Sequence, residues 1–250
     1  IAFRTTSFHS IKKAFGGNIR FCVSGGAALD AEVTQFFHEY RLPILEGYGL
    51  TETSPVLTFN PLGKTRDGSI GIPVPGTMVA CLDESGQPVA QGETGEIAAK
   101  GPQIMAGYWN KPDETAHALR DGWFLTGDIG VMDPDGYFRI VDRKKDMVVV
   151  SGFNVYPNEV EDCLAGHPGI LEAAVIGVPD EATGEAVKAF VVKRDSGLSE
   201  ADIRAHCKAH LTAYKVPKRV EFRDELPKSN VGKILRKDLR AEELARIAAE

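Results

Sequence analysis

"IRFCVSGGAALDAEVTQFFHEYRLPILEGYGLTE" (residues 19–52) decides the fold class. Residues 19–29 read as a buried apolar strand running into a glycine turn. Residues 30–40 then have helical spacing, with Asp30 placed to cap the helix. Residues 42–52 read as a second short strand that ends in glycines. Strand, glycine turn, helix, strand is the pattern of a parallel sheet, in which ligands gather at the carboxyl ends of the strands.

From about Gly68 the texture changes. Short β-prone runs, "TMVACLD", "GEIAAKG" and "YFRIVD", alternate with "DESGQ", "DG" and "DPDG", which are hairpin signals. They predict an antiparallel, β-barrel-like subdomain ending near Asp142. "DRKKD" (142–146) is a charged knot between two β runs, and there the domains are expected to part, 1–142 from 143–250. Beyond it come an apolar strand, the turn "SGFNVYP", and a helix from Pro157 with Asn158, Glu159, Glu161 and Asp162 near its positive end. "EAAVIGV" and "AVKAFVVK" read as strands, and "LSEADIRAHCKAHL" as a helix capped by Ser199. "RVEFRDEL" reads as a last strand before a loop and a terminal helix. The class expected is α/β followed by a compact α+β unit.

Composition narrows the function. A formal net charge of −6 argues against general nucleic-acid binding, which needs a broad basic face. Cys22, Cys81, Cys163 and Cys207 lie far apart without a CxxC pair, the usage of reduced, scattered thiols in a cytoplasmic protein. No apolar run approaches the roughly 20 residues of a membrane span. A chain that starts at Ile1 is expected to be a fragment of something longer.

Several familiar sites are excluded. "TFNPLGKT" (58–65) ends like a phosphate loop, but Thr58 replaces the first glycine and no helical pattern follows. There is no GxSxG elbow and no HExxH. In "HCKAH", His206 and His210 stand one helical turn apart beside Cys207. No further ligands follow nearby in sequence, so the reading preferred here is an exposed helix face.

Three stretches carry candidate chemistry, each with a plain alternative. "VSGGAAL" (23–29) is either a tight turn or a turn stripped of bulk so that a flat ligand approaches the backbone. "EGYGLTETSP" (46–55) offers an aromatic ring, hydroxyls and a carboxylate at a strand end. Those suit a nucleotide and magnesium, or a buried Tyr48 with a surface Glu52. Asp128 and Arg143 can each hydrogen-bond ribose hydroxyls, and Asp128 can equally cap its own turn. In "LPKSNVGKILRKDLR" (226–240), Arg236, Lys237 and Arg240 read as a solvated helix face. Lys233 differs, because Gly232 before it lets the turn come close to a ligand.

Tyr48-Gly49-Leu50-Thr51-Glu52, "GWFLTGD", "DRKKDMVVVSGFNVYPNEVED" and "LPKSNVGK" occur in that order. With them the chain resembles the adenylate-forming superfamily of acyl-CoA synthetases, luciferases and peptide-synthetase adenylation domains. Within it, the chain is most like bacterial long-chain fatty acid–CoA ligases. Leu125 stands where a histidine is common and Met132 where a tryptophan is common. The Ser/Thr/Gly-rich loop that grips the ATP β- and γ-phosphates comes upstream of everything present here, so the chain looks like the C-terminal half or so of such an enzyme.

The resemblance implies 1–142 as the C-terminal part of the AMP-binding large domain and 143–250 as a mobile C-terminal domain. It implies ATP-dependent formation of acyl-AMP from a fatty acid, then thioester formation with CoA; the alternatives are an adenylating enzyme for another carboxylic acid (a medium-chain or aryl acid, or loading of a carrier protein) and a non-catalytic nucleotide-binding fragment. Gly25, Gly26 and Ala27 would form the wall against adenine and the acyl carboxyl end. Tyr48, beside Gly49, would stack on adenine, Thr51 would contact the α-phosphate and Glu52 would ligate Mg2+. Asp128 and Arg143 would hold the ribose, Lys145 would be the hinge, Gly152 would line the pantetheine tunnel, and Lys233 would be the adenylation lysine. The implied partners are small molecules (fatty acid, ATP and CoA), in the cytoplasm or peripheral to the inner membrane.

Overall fold

The computed structural model describes residues 11–27, 29, 31–229 and 232–249. The expected capping residue Asp30 lies outside them. The chain divides into two units, Ile1–Ile140 and Val141–Glu250, two residues before the expected cut.

In the first unit, β1 (Cys22–Ser24) and β2 (Ile44–Gly49) pair in parallel, with Cys22 opposite Ile44 and Ser24 opposite Glu46. Helix α1 (Ala31–Glu39) makes the crossover between them. β3 (Val56–Phe59) and β4 (Ile72–Pro73) extend the sheet antiparallel, in the order β1-β2-β3-β4. β1 is shorter than its sequence pattern suggests and is not buried, since Val23 is 60% exposed. As the edge strand it has one neighbour, and apolar composition alone does not supply a second.

The β-rich part of this unit holds β5 (Met78–Leu82), β6 (Thr94–Lys100), β7 (Leu119–Arg120), β8 (Trp123–Met132) and β9 (Phe138–Arg143), with helix α2 (Pro112–Ala118) before β7. The sheet runs β5-β6-β8-β7, with β9 also on β8. The β7–β8 hairpin turns on Asp121 and Gly122, at φ 51° and 75°. Two successive positive φ values are what a two-residue turn needs to match strand twist, and Asp-Gly tolerates them. Tyr48, Leu57, Cys81, Ile97, Ala99 and Phe138 form one apolar cluster that joins both sheets.

The second unit begins as β9 ends. β10 (Val148–Val150) and β11 (Phe153–Val155) form a hairpin, and α3 (Pro157–Ala165) follows with proline in its first turn. β12 (Ile170–Asp180) and β13 (Gly184–Lys193) pair antiparallel along their length. α4 (Glu200–His210) leads to β14 (Arg219–Arg223), parallel to β13, and α5 (Arg236–Ala249) closes the unit.

The near-continuous apolar runs of β12 and β13 follow from burial on both faces. Val175, Val187, Ala189 and Val191 join one cluster with Val160, Leu164, Ile203 and Cys207 of α3 and α4. Their alternates, Ala174, Ile176, Val178, Ala186, Phe190 and Val192, join Leu226 and Leu239 on the other side. That is the two-residue period of a strand read twice. Lys188 interrupts the run in the buried sheet, where Glu221 (2.6 Å) and Glu243 (2.7 Å) neutralise it. Among the described residues, no helix is long and apolar enough to cross a membrane.

Candidate active site

The first unit assembles its candidate residues where β1 and β2 end. The Gly25–Ala27 turn follows β1, and a Cβ on Gly25 would stand 3.1 Å from the Gly47 carbonyl oxygen, so the turn lies against β2. A bulge between Tyr48 and Gly49 then breaks the β2–β3 register. Only glycine fits at Gly49, where a Cβ would fall 1.6 Å from the Pro55 carbonyl oxygen.

Beyond it the chain makes one 3-10 turn, Thr51–Thr53. The buried Thr53 hydroxyl fixes that turn, accepting from the Leu50 N–H at 2.9 Å and donating to the Pro55 carbonyl at 2.6 Å. Thr51 is left exposed and Glu52 half-buried.

Tyr48 donates its hydroxyl to Asp128 Oδ2 at 2.6 Å, across 80 residues of sequence. Asp128 sits on β8 behind Thr126, whose hydroxyl accepts from the Asp128 N–H (3.2 Å) and donates to the Ile97 carbonyl (2.7 Å). The ring of Tyr48 is 8% exposed and belongs to the apolar cluster. A ring so buried offers little of its face to a ligand, and its visible contribution is the bond to Asp128.

Glu52 accepts the Tyr108 hydroxyl through Oε1 at 2.9 Å, and its carbonyl accepts the Met105 N–H at 2.8 Å. Burial, then the Glu52 carboxylate, push the Tyr108 phenol upward. Tyr108 was not legible as a site residue, because "AGYWN" has no pattern tying it to position 52. The second oxygen of Glu52 has no partner among the described residues, and a hard carboxylate oxygen is what Mg2+ accepts. The residues therefore fit that ion.

In the second unit, Arg143 ends β9, and the exposed Lys145 lies in the 3-10 turn Lys144–Asp146 that follows. Gly152, at φ 83°, turns the β10–β11 hairpin. Lys233 sits on a closed loop. Ser229 N–H donates to the Lys233 carbonyl (2.8 Å), Gly232 N–H to the Ser229 carbonyl (2.9 Å) and Leu235 N–H to the Pro227 carbonyl (2.8 Å). The Lys233 ammonium is exposed and makes no ion pair among the described residues.

The basic stretch after Lys233 corrects the sequence reading. Arg236 is not part of a solvated face, since its side chain is only 16% exposed. Its guanidinium donates to Glu161 Oε1 at 2.8 Å and to Asp142 Oδ1 at 3.2 Å, and also bonds Asn158 and Glu161 Oε2. Burial opposes its charge, but Glu161, Asp142 and Asp146 outweigh that and hold the guanidinium above its ordinary value. Arg240 adds a longer contact to Asp146, 3.4 Å. Only Lys237 of the three is plainly exposed. Fork-shaped pairing with carboxylates from two distant segments leaves no signature in a local charge pattern. Asp142 also accepts the N–H groups of Arg143 and Asn158, each at 2.7 Å, so one buried carboxylate anchors the Arg143 segment, α3 and the start of α5.

Residues 3–109 match the family model described as AMP-binding enzyme, and residues 159–233 match the one described as AMP-binding enzyme C-terminal domain. The long-chain-fatty-acid–CoA ligase of Yersinia pestis is 56% identical over 228 residues, 90% of this chain and 41% of that protein. The feruloyl-CoA synthase of an Amycolatopsis species is 45% identical over 226 residues, 89% of this chain and 46% of that protein. ATP-bound MatB from Rhodopseudomonas palustris superposes with a TM-score of 0.82 at 38% identity, over 96% of this chain and 49% of that one. The chain thus spans about two fifths of the length of the first of these relatives. Matched in tandem, by the AMP-binding enzyme model in the first unit and the AMP-binding enzyme C-terminal domain model in the second, the chain belongs to the adenylate-forming family of AMP-binding enzymes.

Proposed function

We propose that the protein carrying this chain is a long-chain fatty acid–CoA ligase. The observation that carries this reading is the 56% identity to the Yersinia pestis ligase over 90% of this chain, and the 2.6 Å bond from Tyr48 to Asp128 joins two of the motifs on which the resemblance rests. In the first step a fatty acid carboxylate oxygen bonds to the α-phosphorus of ATP and pyrophosphate leaves. In the second, the CoA sulfur bonds to the acyl carbon and AMP leaves.

The Gly25–Ala27 turn lies against the adenine and the acyl carboxyl end. Tyr48 and Gly49 form the floor beside the base, with Tyr48 holding Asp128 toward the ribose, and Arg143 takes the ribose too. Thr51 donates to the α-phosphate. Glu52, steadied by Tyr108, would hold Mg2+, which when bound offsets phosphate charge. Lys233 supplies an ammonium to charge growing between carboxylate and phosphate. Lys145 acts as the hinge, and Gly152, without a side chain, leaves room for pantetheine.

A second reading, activation of an aryl acid, is favoured by the feruloyl-CoA synthase likeness. A panel of fatty acids of graded length with ferulate, assayed on the complete protein, separates the two. Highest kcat/KM on long chains supports the ligase proposed, and highest kcat/KM on ferulate overturns it.

The role of Lys233 has its own test. Lys233→Ala in the complete protein is expected to slow pyrophosphate release roughly 10²–10³-fold. Conversion of supplied acyl-AMP to acyl-CoA should stay within a few-fold of the parent. Unchanged pyrophosphate release removes the assignment.

A further inference from the structure

The facing surfaces of α3 and α4 bring together a thiol and two imidazoles that the ligase reading does not use. Cys163 lies in the last turn of α3, and His206 and His210 stand one turn apart on α4. One ligand atom from each, the sulfur and a nitrogen of each ring, lie within 4.8 Å of one another. Cys207, the cysteine beside these histidines in sequence, is fully buried in the apolar cluster, and its thiol hydrogen-bonds that of Cys163. The third group comes from 43 residues upstream of His206, beyond the reach of a local motif.

Both imidazoles are already oriented by the main chain. His206 Nε2 lies 2.9 Å from the Cys163 carbonyl oxygen, and His210 Nδ1 lies 2.8 Å from the His206 carbonyl oxygen. A neutral ring donates its N–H to a carbonyl, so in each ring the other nitrogen carries a lone pair. Histidines that bind metals are commonly fixed in this way, through the nitrogen that does not ligate. The nearby His167 is differently committed, since its Nδ1 accepts the Gly169 N–H at 3.1 Å.

One sulfur and two ring nitrogens form a donor set for a borderline-soft divalent ion. Bonds of about 2.0–2.3 Å set tetrahedral ligand atoms roughly 3.5 Å apart, so closure asks for about 1 Å of side-chain movement. His210 is exposed, which leaves the fourth position to water.

We infer that Cys163, His206 and His210 form a three-ligand site for a borderline-soft divalent metal, zinc foremost. Bound there, the ion clips the end of α3 to α4 and stabilises the second unit by mass action. The inference is independent of the reaction proposed above.

Cobalt(II) titration of the tag-free chain tests it, because a cobalt–thiolate bond gives a near-ultraviolet charge-transfer band. The parent should show that band at one equivalent, and zinc(II) should bleach it. Cys163→Ser should lose the band, and the exposed His210→Gln should weaken cobalt binding by ~10-fold or more. Cys207→Ala should keep the band. Zinc(II) should raise the melting temperature of the parent and leave that of Cys163→Ser unmoved, with circular dichroism showing that the variant is folded. No band in the parent, or a band that survives Cys163→Ser, overturns the site.

Discussion

At the scale of single residues, Tyr48 and Asp128 are both legible in the sequence, but the bond between them is not. "GYGLTE" and "LTGD" announce themselves by residue type, whereas a separation of 80 positions hides which hydroxyl meets which carboxylate. Tyr48 fits the plain reading of a buried ring, while its hydroxyl bonds a carboxylate on a distant strand. That division makes Tyr48→Phe informative. The ring keeps its packing, and the hydrogen bond to a carboxylate that it loses is worth about 1.5–3 kcal/mol. We expect AMP affinity of the complete protein, measured by calorimetry, to fall roughly 10-fold as Asp128 loses its fixed orientation. The apparent KM for CoA should be unchanged. AMP binding equal to that of the parent would mean that Asp128 needs no help from Tyr48.

At the scale of elements, period and capping chemistry carried the reading furthest in the second unit. Ser199 caps α4 as its type and position suggest, accepting from the Asp202 N–H while Asp202 accepts from the Ser199 N–H. β12 and β13 are legible because both of their faces are buried. The start of α5 misleads, because three basic residues in five look like a solvated face until the fold brings Asp142 and Glu161 to Arg236. Arg236→Ala would leave two largely buried carboxylates without their cation, which costs about 3–5 kcal/mol. Arg236→Lys should recover only part of that, since an ammonium cannot span Glu161 in two-pronged fashion. Hydrogen exchange of the α5 amides checks this. A loss below about 1 kcal/mol would show the network to be solvent-compensated. The same substitution should slow pyrophosphate release, because the loop of Lys233 runs directly into this anchored turn.

At the scale of the whole molecule, the two units differ in how completely they bury their apolar faces. The second packs helices on both faces of β12 and β13, although Val149 and Phe153 on its β10–β11 hairpin stay exposed. In the first, Val23 on β1 is 60% exposed, and Val33 and Phe36 on α1 are 40% and 47% exposed. Fully burying such a side chain is worth about 1.5–3 kcal/mol, so the roughly half left in water forgoes a part that counts beside a domain stability of about 5–15 kcal/mol. No periodicity in residues 19–40 could report this, because a strand or helix written for a buried position looks the same whether or not its neighbour is present. We therefore expect β1 and α1 to exchange amide hydrogens fastest in the 250-residue chain, while β12 and β13 stay protected to near-global unfolding. We expect ATP-dependent thioester formation by this chain alone to be weak or absent, since it spans about two fifths of the length of the Yersinia pestis relative. In the complete protein the same α1 and β1 peptides should gain protection, and binding of a hydrophobic dye should fall. Equal protection of β1 and β12 in the 250-residue chain would show the first unit to be self-sufficient. Robust acyl-CoA synthesis by that chain would show these 250 residues to be sufficient for both steps.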